Sequence, residues 1–173
     1  MRMKLTFTIL TVAILAVFVA VSLAGAEKTA QEKGRNVYHV VKAEVIAVGD
    51  VPGHIVGVAE SRGLIFPDTG EVGTWSSKIT LDLTNGNGPT LTYGVNTFED
   101  KSTMITLGKT VATARPDGTA TFEGTATYIG GTGRFAGIQG GSSYTGKRMA
   151  PLTPGVPADA FLDYVATYTL PGR

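Results

Sequence analysis

The sequence predicts an all-β domain closed as an eight-stranded antiparallel β-barrel, and three observations carry that expectation. From Asn36 onward, β-rich segments recur without any sustained helical periodicity. Turn chemistry separates them at short intervals, and such short connectors force antiparallel neighbours because a parallel crossover needs a helix-length link. Strands of this kind hide their edges by closing on themselves. A β-sandwich or jelly roll is the alternative that periodicity alone leaves open.

The strands are expected at 37–48, 54–66, 71–84, 90–99, 102–114, 119–129, 138–149 and 158–170. Between them lie Gly49-Asp50-Val51-Pro52-Gly53, Pro67-Asp68-Thr69-Gly70, Asn85-Gly86-Asn87-Gly88-Pro89, Glu99-Asp100-Lys101, Arg115-Pro116-Asp117-Gly118, Gly130-Gly131-Thr132-Gly133 and a Pro-rich link from Met149 to Pro157. Pro presets φ at a turn and Gly or Asn supplies positive φ, so these are mechanistic breaks. In the third strand Trp75, Ile79, Leu81 and Leu83 alternate with Thr74, Ser76, Lys78, Thr80 and Asp82, which predicts that the apolar set faces the core. The sixth opposes Ala120, Phe122, Gly124, Ala126 and Tyr128 to Thr119, Thr121, Glu123, Thr125 and Thr127 in the same way. The second is ambiguous: Val56, Val58, Glu60, Arg62 and Leu64 share one face, and Ile55, Gly57, Ala59, Ser61 and Gly63 the other. A Gly-rich face lets a neighbouring surface approach closely.

The domain sits behind an export signal. Met1-Arg2-Met3-Lys4 is a cationic start, Leu5 to Ala24 is an uncharged apolar run, and Ala24-Gly25-Ala26 has the small-x-small spacing of a cleavage site. Residues 1–26 are thus read as a signal peptide cut after Ala26, which implies a secreted or periplasmic destination; an uncleaved anchor is the alternative, since such a run can just span a bilayer. Residues 27–36 read as a polar leader that frays, and 37–173 as one β-barrel domain.

Cleavage removes Arg2 and Lys4, leaving 13 of the 15 basic residues against 14 acidic ones. No basic cluster remains for nucleic acid or, after cleavage, for a membrane surface. The chain has no cysteine, which excludes disulfides and an N-terminal lipid anchor on cysteine. His39 and His54 are its two histidines; neither has a partner at metal-ligand spacing, so no metal is expected.

The most distinctive stretch is Tyr128-Ile129-Gly130-Gly131-Thr132-Gly133-Arg134-Phe135-Ala136-Gly137-Ile138-Gln139-Gly140-Gly141. Gly131, Gly133 and Ala136 fit a dinucleotide fingerprint mechanically, but that fingerprint needs a following helix. Gly137, Gly140 and Gly141 argue against one. No Gly-Lys-Ser/Thr ending or Gly-x-Ser-x-Gly nucleophile turn is present, and no cofactor is expected.

That stretch, with Asp117-Gly118-Thr119-Ala120-Thr121 before it and Tyr144-Thr145-Gly146 after it, resembles the Gly-Gly-Thr-Gly-[Arg/Lys]-Phe-x-Gly-x-x-Gly segment of dirigent proteins and, more loosely, of allene oxide cyclases and their bacterial barrel-like relatives. The resemblance implies an eight-stranded antiparallel barrel with an apolar cavity, often a homotrimer, in which Phe135 plugs one end and the glycines bend the chain around it. Dirigent proteins steer the coupling of phenolic radicals by positioning. The cyclase chemistry carries over poorly: Glu44 and Pro52 lie near two expected positions, but Ile46 and Val51 stand where the family has Asn and Ser.

The candidate ligand-binding residues are Glu44, Glu60, Arg62, Tyr93, Tyr128, Arg134, Phe135 and Tyr144; no catalytic residue is assigned. Each has a structural reading beside the functional one. Glu60 with Arg62 and Lys42 with Glu44 suit a solvated wall, the aromatics suit a packed core, and Arg134 suits hydrogen bonds to turn carbonyls. Three functions follow: an exported barrel that binds, and sterically directs the chemistry of, a small apolar or aromatic molecule; a non-catalytic structural or interaction barrel; or an allene oxide cyclase-like isomerase. A cavity above about 300 Å³ with convergent polar groups favours the first, and a filled interior under a large outer apolar patch favours the second.

Overall fold

The computed structural model describes residues 28–151 and 156–172. The expected signal peptide and its cleavage point lie outside the described residues. The strands are β1 (Lys28–Ala47), β2 (His54–Pro67), β3 (Gly73–Thr84), β4 (Gly88–Thr97), β5 (Thr103–Ala114), β6 (Ala120–Thr132), β7 (Gln139–Arg148) and β8 (Ala158–Leu170), with one 3₁₀ turn at Gly133–Phe135. Each pairs antiparallel with its neighbour in sequence, and β1 pairs with both β2 and β8. The sheet is therefore a closed barrel, and the sandwich alternative is set aside.

One boundary moves substantially. The polar leader expected at 27–36 is, from Lys28 on, the first half of β1, registered against β8 from Lys28↔Leu170 to Val40↔Ala158. Without it the C-terminal half of β8 would expose an unpaired edge. The sequence hides this because the inward positions of the segment are Ala30, Glu32, Gly34 and Asn36, which together give little apolar signal. At Val41 the register with β2 slips by one residue. Val41 and Lys42 both face solvent there, and Ala43 and Val45 then pack inward.

β3 and β6 face as their alternation predicts, with Trp75, Leu81 and Leu83 buried and Phe122, Ala126 and Tyr128 lining the interior. In β2 the small face is the inner one: Ala59, Ser61 and Ile65 are buried, while Val58 and Leu64 are exposed. Room for aromatics explains this. A side chain on Gly63 would collide with the Tyr38 backbone and Cβ, one on Gly94 with the Trp75 ring, and one on Gly124 with the Tyr144 ring. Bulky residues thus sit over glycines of adjacent strands, as a narrow barrel requires.

The interior is capped at both ends by apolar clusters. Where β1 begins, Ile65, Phe98, Met104, Phe135, Ile138, Ala166 and Tyr168 pack together. Where β1 ends, Val40, Ala59, Leu81, Leu83, Ala112 and Ala158 do so. Between the caps the wall is polar on several strands.

Candidate ligand cavity

Phe135 is brought over the first end by the glycine-rich turn. Gly133 has φ +59 and Gly140 has φ +118, conformations that L-residues with side chains rarely adopt. A Cβ on Gly140 would also run into the Thr167 carbonyl oxygen. The turn lays Phe135, 5% exposed, against Phe98 and Tyr168 at centroid distances of 5.2 and 6.5 Å. Arg134 covers this lid. Its guanidinium lies 4.8 Å over the Phe98 ring and 4.7 Å over that of Phe135, donates to Glu71 in the β2–β3 loop, and donates to Asp100 in the β4–β5 loop at 3.3 Å. The Arg134 backbone N–H donates to Ser102 Oγ at 3.0 Å. Three loops are thereby tied across one mouth.

Under the lid runs a cavity of about 120 Å³. At the lid side its wall holds Glu32, whose Oε1 accepts from Tyr164 Oη at 2.8 Å and whose Oε2 accepts from Tyr168 Oη at 3.4 Å. Burial pushes the Glu32 carboxyl above the ordinary carboxylate range, the Tyr164 hydrogen bond pulls it back, and the nearby Asp68 charge adds to the rise. Burial first, and the Glu32 charge second, push the Tyr168 phenol up to about 12. Both tyrosines thus stay protonated donors at neutral pH.

Deeper in, Trp75 Nε1 donates to Ser61 Oγ at 3.2 Å, and Ser61 and Ser77 share a hydroxyl hydrogen bond of 2.7 Å. Tyr144 Oη and Thr110 Oγ1 form another, also 2.8 Å. Asn36 on β1 and Asn96 on β4 also line the cavity. They are only 6% and 5% exposed, and among the described residues the carbonyl oxygen of each has no hydrogen-bond partner. Such an orphaned buried acceptor costs about 1–3 kcal/mol until a donor reaches it.

No family profile matches the chain, and no curated protein does. The barrel is similar to a solved pterocarpan synthase dirigent protein at 15% identity and TM-score 0.50, covering 85% of this chain and 94% of that one. The chain has the dirigent barrel fold. A second pterocarpan synthase dirigent protein aligns at 14% identity and TM-score 0.48, covering 86% of this chain and 97% of its own.

Within this dirigent-fold barrel the candidate residues separate into three groups. Tyr128 and Tyr144 line the cavity. Phe135 and Arg134 form the lid. Glu44, Glu60, Arg62 and Tyr93 are on the outer wall: Glu44 pairs with Lys42 and Glu60 with Lys78, each at 2.6 Å, Arg62 is exposed, and Tyr93 is 51% exposed. Tyr93 faces out because Thr92, Gly94 and Asn96 flank it on β4, and a polar alternation does not reveal which face is inner. With Glu44 outside, the acid of a cyclase site is not supplied from that position. The interior acid is Glu32, hidden in the segment taken for a leader. The signal that could have found it is the period-two run Glu32-Gly34-Asn36-Tyr38-Val40, which continues the inward face of β1. Among the described residues no group of three or more His, Cys, Asp or Glu is placed to hold a metal ion.

Proposed function

We propose that this chain is an exported binding barrel whose interior holds one small apolar or aromatic molecule bearing a hydrogen-bond donor, and fixes its orientation by shape. The observation that carries this reading is the pair of buried Asn36 and Asn96 carbonyl oxygens, orphaned on strands that line the same cavity. A ligand donor removes their desolvation cost while Trp75, Ile79 and Phe122 cover its apolar body. The volume limits the occupant. About 120 Å³ falls short of the roughly 300 Å³ of a drug-sized site and is close to the roughly 150 Å³ that accepts a benzene ring. A single ring or a short chain fits; two coupled rings do not. Orientation in so small a space constrains which face of a reactive molecule is offered, which is catalysis by positioning alone.

Native mass spectrometry of the secreted protein against a set of single-ring phenols and alcohols tests this. One ligand per barrel is expected, with affinity falling about tenfold in Asn96→Val, the loss of roughly one buried hydrogen bond. No retained compound, or equal retention by the variant, would refute the reading. Sequencing of the secreted protein tests the export claim: Glu27 is the expected N-terminus, and an intact Met1 would refute cleavage.

A second reading, a secreted structural or interaction barrel, rests on a different observation. Val37, Leu64 and Phe66 stand exposed on the outer face of β1 and β2, with Val37 and Leu64 directly opposite. Contiguous exposed apolar surface of this kind marks an interface, and a homotrimer would cover it. Sedimentation of wild type and of Leu64→Lys with Val37→Lys separates the cases: loss of an assembled state supports the interface, and a monomer in both refutes it.

A further inference from the structure

The end of the cavity opposite the lid has a chemistry that the binding reading leaves unused. Arg148, the last residue of β7, is half-buried and lines the cavity. It also lines an outer depression bounded by Arg115, Gly118, Thr119 and Pro151, so its side chain stands between the interior and solvent. Its Nε donates to the Ala150 carbonyl oxygen at 2.6 Å. That bond orients the guanidinium, and among the described residues its two Nη groups have no hydrogen-bond partner. Among the described residues no carboxylate pairs with it, in contrast to Arg134 with Glu71 and Asp100 and Arg35 with Asp163.

A cation held this way is poorly solvated and poorly paired. Burial lowers the Arg148 pKa, and the group whose charge it feels is the Tyr38 phenol. Tyr38 is itself buried, and burial raises its pKa, so it stays a neutral O–H donor. Among the described residues that hydroxyl meets no hydrogen-bond acceptor. A guanidinium edge and a phenol O–H facing one space present N–H and O–H donors, which complement a carboxylate. The far end of the cavity carries the opposite sign in Glu32, so a second anionic group on the same molecule would be repelled.

We propose that Arg148 and Tyr38 form an anion subsite at the end of the cavity opposite the lid, so that the occupant is a small monocarboxylic acid bound with its acid group toward Arg148. This rests on the binding reading given above and names the substrate class for the same cavity. The apolar body then lies between Phe122, Leu81 and Ile79, and its donor faces Asn36 and Asn96. Arg148 acts as a binding residue; no bond is made or broken.

The test uses the chain's single tryptophan, Trp75, which lines the cavity. Its emission is followed while the purified protein is titrated with 4-hydroxybenzoate, whose phenol supplies the donor, and, separately, with the near-isosteric neutral 4-hydroxybenzyl alcohol. Wild type is expected to bind 4-hydroxybenzoate about tenfold or more tightly than the alcohol at neutral pH, the scale of one charge-assisted pair. Arg148→Met is expected to abolish that preference while keeping the alcohol site. Arg148→Lys, a charge without the planar fork, should hold part of it and serves as the reporter if the Met variant does not fold. Equal affinity of wild type for the two probes overturns the subsite and leaves the cavity reading standing. A preference that survives in Arg148→Met also overturns it. Binding of neither probe to wild type overturns the subsite and the cavity reading together.

Discussion

At the end of the barrel where β1 begins, Arg134 lies over two aromatic rings and between two carboxylates; at the other end, Arg148 has one backbone carbonyl and a cavity. The two cations have similar chain environments, each at or beside the end of a strand, yet one closes its mouth and the other lines the cavity. The difference is one of satisfaction. A cation whose hydrogen bonds are met by the chain contributes order, and one whose bonds are unmet is available to something else. The same contrast holds for amides: Asn87 in the β3–β4 turn accepts from the Ala114 N–H and donates to Thr84 and Asn85, whereas among the described residues the carbonyl oxygens of Asn36 and Asn96 have no partner. Asn87 shapes a turn, and on the proposed reading Asn36 and Asn96 are the groups that meet a ligand donor.

Breaking the closed end is expected to give the largest effect. Phe135→Ala removes a fully packed ring from the Phe98, Met104, Ile138 and Tyr168 cluster, and loss of about 3–5 kcal/mol of stability is expected, read as a lowered denaturation midpoint. A loss below about 1 kcal/mol would mean that the ring gates the cavity and does not hold it shut.

The end opposite the lid should respond to pH. There His54 accepts or donates between Asp50 at 2.7 Å and Asp82 at 2.9 Å, clipping the β1–β2 loop to β3. Hydrogen bonds to Asp82, then to Asp50, raise the His54 pKa above the ordinary imidazole value. Since the folded value is the higher one, the stabilisation is complete below about pH 6.5 and fades as pH rises through the raised folded value. Wild type should therefore exceed His54→Gln in melting temperature by more at about pH 5.5 than at about pH 9. A gap that does not change with pH would show that the clip is uncharged. Glu32, with its raised pKa, also makes the fold less stable as pH rises, and both proteins share that trend.

The barrel was legible in the sequence where burial is one-sided. β3 and β6 alternate cleanly, so Trp75, Leu81, Phe122 and Tyr128 face as their pattern predicts. The pattern misleads where the interior must be small: in β2 the inner face is Gly57, Ala59, Ser61 and Gly63, because Tyr38 and its neighbours need the space, and Val58 and Leu64 are turned outward. It is silent where the interior is polar, which is why the first half of β1 reads as a leader. The site was legible only through its aromatics. Tyr128 stands in an alternating apolar run and Tyr144 among small residues, whereas Glu32, Asn36, Asn96 and Arg148 are single polar residues whose inward facing depends on closure. The wall charges Glu44, Glu60 and Arg62 resemble them in sequence; Glu44 shares the parity of Glu32 and is turned outward by the register slip at Val41.

The central claim, that the interior amides receive a ligand, is tested most directly by the four asparagines of the chain. Side-chain amide NMR signals of Asn36 and Asn96, together with the Trp75 indole N–H, can be followed against those of Asn85 and Asn87 while 4-hydroxybenzyl alcohol or 4-hydroxybenzoate is added. The account predicts that the first three shift along one saturation curve while Asn85 and Asn87 stay in place. Shifts confined to Asn85, Asn87 and the outer wall, with Asn36, Asn96 and Trp75 unmoved at saturation, would contradict it.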